Sequence, residues 1–361
     1  MNLGILGAGQ LARMMALAAY PLNIKCSFLD PAADACAGPL GQLVNGNYDD
    51  KAGLATLTAN ADCVTFEFEN VPAEALESLA QQVPVYPPPS ALLVSQDRLT
   101  EKNLFHRIGI ETAPFAEVNS LAELENAVEK LGLPAILKTR RLGYDGKGQA
   151  FIRSKDDLAQ AWNSVGEVPS TLEGFVSFSR EVSIISVRGR GGETRFYPLV
   201  ENVHRNGILH LSTVLVNDPL QEQAEKMVKT LIDEIDYVGV LVLELFHVGD
   251  KLLANEFAPR VHNSGHWTIE GAFTSQFENH VRAVTGLPLG DTKARCPAAM
   301  LNIIGTLPDT TKILNIPGAS LHLYDKAPRE GRKIGHISIC ANTADDLDDR
   351  IKQVAKLIDT D

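Results

Sequence analysis

Phosphate chemistry needs cations on a firm backbone and N–H groups that close around oxygen atoms. Lys138 ends an apolar run, 135–138, and five residues later comes Gly143-Tyr144-Asp145-Gly146-Lys147-Gly148. A glycine-rich loop after a strand with an inward lysine suits a nucleotide: backbone N–H groups cradle the oxygens and the ammonium neutralises charge. It is not a Walker loop, because the Gly-Lys-Ser/Thr ending is absent; the alternative is a solvated hairpin turn. Glu244 lies inside Val-Leu-Val-Leu-Glu-Leu-Phe, and Glu256 follows Asn255 on the next apolar run. A carboxylate in an apolar strand is costly unless paired or metal-bound. Two of them with phosphate oxygens make a hard-oxygen magnesium site; a buried ion pair is the alternative. Arg260-Val261-His262-Asn263-Ser264-Gly265-His266 is dense in hydrogen-bonding groups and reads as a substrate pocket. Pro259 and Gly265 disfavour the helix that two histidines four apart would need for zinc. Lys326, Arg329, Arg332 and Lys333 are a basic cluster in an acidic chain, fit to grip a phosphate monoester or simply to solvate a loop.

At the N-terminus, Gly7-Ala8-Gly9-Gln10-Leu11-Ala12 fits G-x-G-x-x-A between a strand and a helix. Such a turn brings a phosphate to a helix N-terminus, and Asp30 ends the next strand, where a dinucleotide fold has its ribose ligand. Three readings stay open on these residues alone: a nicotinamide site, another phosphorylated ligand, or a packing turn. Glu67 and Glu69 follow the third strand of this region. Their carboxylates are expected on opposite sides, with one toward a ligand at the carboxyl ends of the strands.

The elements that position these groups alternate at first. Residues 2–6, 24–29, 62–66 and 83–86 read as strands, with helices over 11–19, 54–59 and 73–79, the last opened by Pro72 at its first position. This pattern predicts a parallel, doubly wound sheet. Ser120 and Glu123 form a capping box before a helix that ends near Gly132. Strands at 135–138 and 149–153 flank the glycine loop. Antiparallel strands fill 181–216, with turns at 189–192 and Asn206-Gly207. A helix at 221–235 precedes a hairpin of 238–246 and 252–257. From about residue 291, short strands at 300–304, 320–323 and 336–340 lead to a helix near 344–358.

The 361 residues suffice for two or three domains. Lys plus Arg is 33 against 45 Asp plus Glu, a net charge of −12 at pH 7, which argues against a nucleic-acid partner. No run reaches the roughly 18 apolar residues of a membrane span, and the first residues lack the cationic region of a signal peptide. The expectation is a cytoplasmic protein with no membrane partner. Five cysteines, none at CxxC spacing, are expected to be reduced thiols.

Taken in order, these pieces resemble the ATP-grasp superfamily. Within it, Gly143-Tyr144-Asp145-Gly146-Lys147-Gly148-Gln149, Ala258-Pro259-Arg260-Val261-His262-Asn263-Ser264-Gly265-His266-Trp267-Thr268 and Gly331-Arg332-Lys333-Ile334-Gly335-His336 resemble the N5-carboxyaminoimidazole ribonucleotide synthases of purine biosynthesis, over nearly the whole chain. The resemblance implies an α/β ATP-grasp fold: an N-terminal Rossmann-like parallel sheet (1–97), an ATP-grasp domain (98–290) with a lid over about 114–176, and a small C-terminal domain (291–361). It implies ATP-dependent joining of bicarbonate to the amine of 5-aminoimidazole ribonucleotide through carboxyphosphate, with magnesium, two ions in number, and no NAD or biotin, in a homodimer. ATP would meet Arg98, Lys138, the loop Gly143, Tyr144, Asp145, Gly146, Lys147, Gly148 and Gln149, the hinge Glu173, Gly174, Phe175 and Val176, then Glu181, His204 and Asn255. Glu244 and Glu256 would hold magnesium. Gln10, Leu11 and Glu67 would face the ribonucleotide, with Lys326, Arg332 and Lys333 on its phosphate. Tyr144, Asp145, Lys147, His262 and Asn263 would stand nearest the reacting groups. Where the family often has arginine this chain has Lys147, which keeps the charge without the bidentate fork. The alternatives are a related enzyme, such as a formate-dependent glycinamide ribonucleotide transformylase, and an NAD-dependent dehydrogenase built on Gly7–Ala12 and Asp30.

Overall fold

The computed structural model describes residues 1–143 and 146–358. The first region is a parallel sheet of β1 (Asn2–Leu6), β2 (Lys25–Asp30), β3 (Gln42–Asn45) and β4 (Cys63–Phe66), in the order β3-β2-β1-β4. β1 and β4 are almost wholly buried, as strands covered on both faces must be. The strand expected at 83–86 is only a single bridge, Val85 to Val64. Pro84 and Pro87 remove the donors on either side of it. The opposite edge is filled by β3, whose two apolar residues give little strand signal. Pro72 caps the helix Ala73–Ala80 from outside instead of occupying its first turn.

A second sheet contains β5 (Phe115–Val118), β6 (Ala135–Thr139), β7 (Gln149–Ile152) and β8 (Ser170–Gly174), antiparallel in the order β5-β8-β6-β7. Helix Leu121–Leu131 begins where the Ser120 hydroxyl accepts the Glu123 N–H at 3.2 Å, as the capping box predicts. Its Leu124, Ala127 and Val128 pack with Leu137, Leu172 and Trp162 in a core belonging to this sheet alone.

The third sheet has nine strands: β9 (Arg180–Arg188), β10 (Thr194–Phe196), β11 (Leu199–Arg205), β12 (Ile208–Leu215), β13 (Gly239–Val248), β14 (Lys251–Ala258), β15 (Ala298–Ile304), β16 (Ala319–Leu323) and β17 (Lys333–Cys340). Its order is β14-β13-β9-β11-β12-β15-β17-β16, with β10 on β9. The three C-terminal strands therefore continue this sheet: Leu211 of β12 pairs with Leu301 of β15. Helix Gln276–Thr285 lies between the large sheet and the first one. Its His280 takes the Val240 N–H on Nδ1 at 3.1 Å, which leaves Nε2–H to donate to Thr65 at 2.9 Å. No helix among the described residues is long and apolar enough to cross a membrane. All five cysteines are free thiols, three of them buried.

Candidate active site

A cleft of about 590 Å³ opens where the three sheets meet. A larger hollow of about 710 Å³, around Tyr20, Lys25 and Gln42, gathers none of the groups singled out above.

β1 delivers Gly7-Ala8-Gly9 to the N-terminus of helix Gln10–Ala19, where two N–H groups are already engaged. Glu67 accepts from Gly9 through one oxygen and from Ala12 at 2.9 Å through the other. A Cβ on Gly9 would lie 2.6 Å from that carboxylate, so glycine is required by Glu67 itself. Asp30 accepts from Ala8 and Ala32, each at 2.8 Å, and from the Tyr48 hydroxyl at 3.0 Å. Two of the donors at this helix N-terminus are thus held by Glu67, and Asp30 braces the turn. Burial pushes the Glu67 carboxyl above its ordinary range despite these donors and nearby Lys326. Gln10 and Leu11 line the cleft, and the Lys326 ammonium, arriving from beyond β16, donates to the Gln10 amide oxygen. Lys333 also lines it. Arg332 stands outside the lining and donates to the Ala327 carbonyl at 3.3 Å. Glu67 and Glu69 both line the cleft, contrary to the expectation of opposite sides, because residues two apart in an extended segment face the same way. Glu69 pairs with Arg260 at 2.8 Å.

Helix Arg98–Arg107 supplies a second group of charges. Asp97 caps it and is gripped by Arg140, just beyond β6, which ties the helix to the small sheet. Arg98 forms an ion pair with Glu256 at 2.6 Å. Lys102 and Lys138 both reach one oxygen of Glu173, at 3.2 and 3.0 Å. Burial alone would raise the Glu173 carboxyl; the two ammonium groups outweigh it and hold the pKa at about 2. Glu256 is likewise held at about 2, with Arg98 the main counterweight to burial. Glu101 accepts the Phe257 N–H at 2.7 Å, and burial beside Glu256 keeps its carboxyl well above the usual range. Sequence reasoning missed Lys102 and Glu101. Their spacing from Arg98 puts all three on one helical face, which is the signal that was available.

Glu244 and Glu256 stand directly opposite on β13 and β14. Two like charges in that register repel, and each has found a partner: Arg98 for Glu256, and His262, whose Nε2 is 3.0 Å from Glu244. The buried Asn255 Oδ1 beside them has no hydrogen-bond partner among the described residues. Facing carboxylates and an orphaned amide oxygen fit a hard cation completed by phosphate oxygens. No three His, Cys, Asp or Glu side chains among the described residues converge as a protein-only metal site.

Around this floor, Lys147, Gly143, Gly146 and Gln149 of the glycine loop line the cleft, as do Glu181, His204, His262, Asn263 and His266. Gly146 (φ +77°) and Gly148 (φ +70°) are left-handed, and a Cβ on Gly148 would meet the Thr139 hydroxyl at 2.6 Å. Tyr144 and Asp145 lie outside the described residues. His204 donates from Nδ1 to Glu181 at 2.5 Å; burial opposes its charge, but the carboxylate wins and raises its pKa. Asn263 exchanges amide hydrogen bonds with the buried Asn302, at 2.7 and 3.1 Å. Phe178 stacks on Phe246 at 4.9 Å. The Glu173 side chain points into its lysine pair, and none of the expected hinge residues Glu173, Gly174, Phe175 and Val176 is among those lining the cleft.

Three family models match successive parts of the chain. They are a ribonucleotide synthetase preATP-grasp domain (1–96), an ATP-grasp domain (103–277) and a phosphoribosylaminoimidazole carboxylase C-terminal domain (298–350). An N5-carboxyaminoimidazole ribonucleotide synthase of Pseudomonas aeruginosa is 52% identical over 360 residues, 99% of this chain and 100% of its own. The crystal structure of the corresponding synthetase from Thermus thermophilus superposes with a TM-score of 0.95 at 50% identity, covering 99% of both chains. That of the Aspergillus clavatus synthase, in complex with ADP and 5-aminoimidazole ribonucleotide, superposes at 0.92 with 34% identity, covering 99% of this chain and 98% of that one. By full-length identity and by a shared three-part architecture, the chain belongs to the N5-carboxyaminoimidazole ribonucleotide synthase family of ATP-grasp enzymes.

Proposed function

We propose that the chain carboxylates 5-aminoimidazole ribonucleotide on its exocyclic amine, using bicarbonate and ATP and releasing ADP and phosphate, as a step of purine biosynthesis. The observation that carries this reading is the facing pair Glu244 and Glu256, on the floor of a cleft that Lys138 enters from the small sheet and Gln10 and Lys333 enter from the other two regions. Bicarbonate is a poor electrophile because hydroxide leaves badly. Transfer of the γ-phosphoryl group to it gives carboxyphosphate, and attack of the amine on that carbon expels phosphate. Bound magnesium would neutralise charge on the transferring phosphoryl group, held by Glu244, Glu256 and the Asn255 oxygen.

The chain's own groups divide the remaining work. Ile136, Phe178 and Phe246 offer the base an apolar slot, and Glu181 with His204 lies within reach of the ribose. Lys138, Arg98 and Lys147 supply positive charge to the phosphates. Gln10, Lys326 and Lys333 take the ribonucleotide, and His262 and Asn263 border the place where amine and carboxyphosphate meet. Water excluded by closure of the small sheet, about 114–176, protects that intermediate from hydrolysis. The purine-biosynthesis substrates support a cytoplasmic location, and the family resemblance supports a homodimer.

The test is ADP release measured with and without the ribonucleotide, with labelled bicarbonate or formate as cosubstrate. Label fixed from bicarbonate in step with ADP is the expected result. Formate incorporation would move the chain to the transformylase reaction.

A further inference from the structure

A line of buried polar side chains crosses the large sheet and ends in the cleft. Ser212 on β12, Asn202 on β11, Ser183 on β9 and Ser264 beyond β14 are all buried, in a core where a polar group is costly unless hydrogen-bonded. Ser212 Oγ donates to Asn202 Oδ1 at 2.8 Å, Asn202 Nδ2 to Ser183 Oγ at 3.0 Å, and Ser183 Oγ to Ser264 Oγ at 2.9 Å. Ser264 Oγ is 2.9 Å from His262 Nδ1, and His262 Nε2 is 3.0 Å from Glu244.

The direction of this chain is determined at its end. The Ser264 backbone N–H, which only donates, points at His262 Nδ1 from 3.3 Å. Glu244, as a carboxylate, only accepts. Both demand a ring with its proton on Nε2 and a bare Nδ1. The Ser264 hydroxyl then donates to Nδ1 and must itself accept from Ser183, which must accept from the Asn202 amide. The Ser183 and Ser264 hydroxyls are each used once in each sense. An amide passes no proton onward, so the line sets polarity and is not a proton wire.

We propose that Ser264, Ser183 and Asn202 are positioning residues that hold His262 in the Nε2–H tautomer, making it a fixed donor to Glu244 and not a base for the acceptor amine. With both ring nitrogens occupied, the imidazole orients one oxygen of Glu244 and leaves the carboxylate's direction toward the cation set in advance. This rests on the reading of Glu244 as a magnesium ligand.

The experiment uses the full chain with 15N-labelled histidine, the His262 signals being identified by their loss in His262→Gln. The wild type should show a bare Nδ1 and a protonated Nε2. Ser264→Ala removes the shorter of the two donors to Nδ1 and leaves only the backbone N–H at 3.3 Å, too weak by itself to fix the ring, so a second tautomer should appear. Asn202→Asp puts an acceptor-only group between Ser212 and Ser183, turns the Ser183 proton away from Ser264, and should shift the ring the same way; if that variant does not fold, Ser264→Ala decides. Manganese binding to the ADP complex, read by electron paramagnetic resonance, should weaken roughly ten-fold in Ser264→Ala, while ADP binding without metal stays unchanged. A wild-type Nδ1–H ring, or a Ser264→Ala protein with unaltered tautomer and metal affinity, overturns the proposal. Unaltered manganese binding in Glu244→Gln would instead remove the metal reading and leave the tautomer result standing.

Discussion

Glu173 shows how one buried residue couples stability to the nucleotide site. Its carboxylate is satisfied by Lys102 and Lys138 together, and removing it would leave two buried ammonium groups without their counterion. Glu173→Gln should therefore cost about 3–5 kcal/mol in denaturant unfolding. The sign with pH follows from its depressed pKa. The carboxyl has an ordinary value of 4.5 and a folded value of about 2, so its stabilisation is full above 4.5 and is lost as pH falls toward 2. The variant should accordingly show a shallower acid limb than the wild type, and an identical limb would contradict the pairing. At the cleft floor, Glu256→Gln keeps the size of the side chain but takes a charge from the cation site. Turnover should fall by orders of magnitude while the fold, read by circular dichroism, survives; near-normal ADP release would end the assignment. Lys326→Ala removes the contact to Gln10. The Michaelis constant for the ribonucleotide should rise roughly ten- to a hundred-fold, or about 1.5–3 kcal/mol, with that for ATP nearly unchanged. A rise in the ATP constant instead would put this lysine in the wrong pocket.

At the scale of elements, the first turn works as a unit of strand end, glycine pair and facing carboxylate. Gly9 has φ −80°, which any residue adopts, so only the contact with Glu67 forbids a side chain there. Gly9→Ala should cost about 1–3 kcal/mol through that clash and should weaken ribonucleotide binding, because Glu67 and Gln10 shift together. Wild-type stability and affinity in this variant would show that Glu67 yields freely. The small sheet is a second unit. It has its own core and meets the rest of the molecule through Arg140 and Asp97 and through the Lys138–Glu173–Lys102 cluster. An element so attached is suited to move as a body over a bound nucleotide. ATP with magnesium should slow hydrogen exchange in peptides covering 135–143 and 146–152; unchanged exchange at saturating ATP would count against closure.

For the molecule as a whole, continuity of the large sheet matters most. β15 pairs with β12, so the C-terminal strands complete the sheet that carries Glu244 and the polar line to His262. Three histidines, His266, His280 and His336, are buried in this assembly, and burial depresses the pKa of each, that of His280 to about 3. Each is held without charge in the folded chain and binds a proton more readily when unfolded. Stability should therefore be full above an ordinary histidine value near 6.5 and decline as pH falls below it. The urea midpoint should drop between about pH 7.5 and about pH 5.5, and a flat profile across that interval would contradict the burial.

Much of this protein was legible in its residues. Val-Leu-Val-Leu-Glu-Leu-Phe announces a buried strand with a carboxylate that needs a partner, Ser120 and Glu123 mark a helix start, and Gly143 to Gly148 mark a loop after Lys138. These are local signals, because periodicity, capping and turn chemistry act over a few residues. What they lacked was any pairing over long distance. Two prolines reduced the strand at 83–86 to one bridge, and β3 at the other edge carries too few apolar residues to be seen. That Lys102 joins Lys138 on Glu173, that Arg98 lies against Glu256 and that the last three strands extend the central sheet depend on residues more than thirty positions apart. The sequence by itself determined which side chains had to be compensated once buried; tertiary structure alone decided by what, because a buried charge or amide takes whichever partner the packing of distant elements brings within hydrogen-bonding reach.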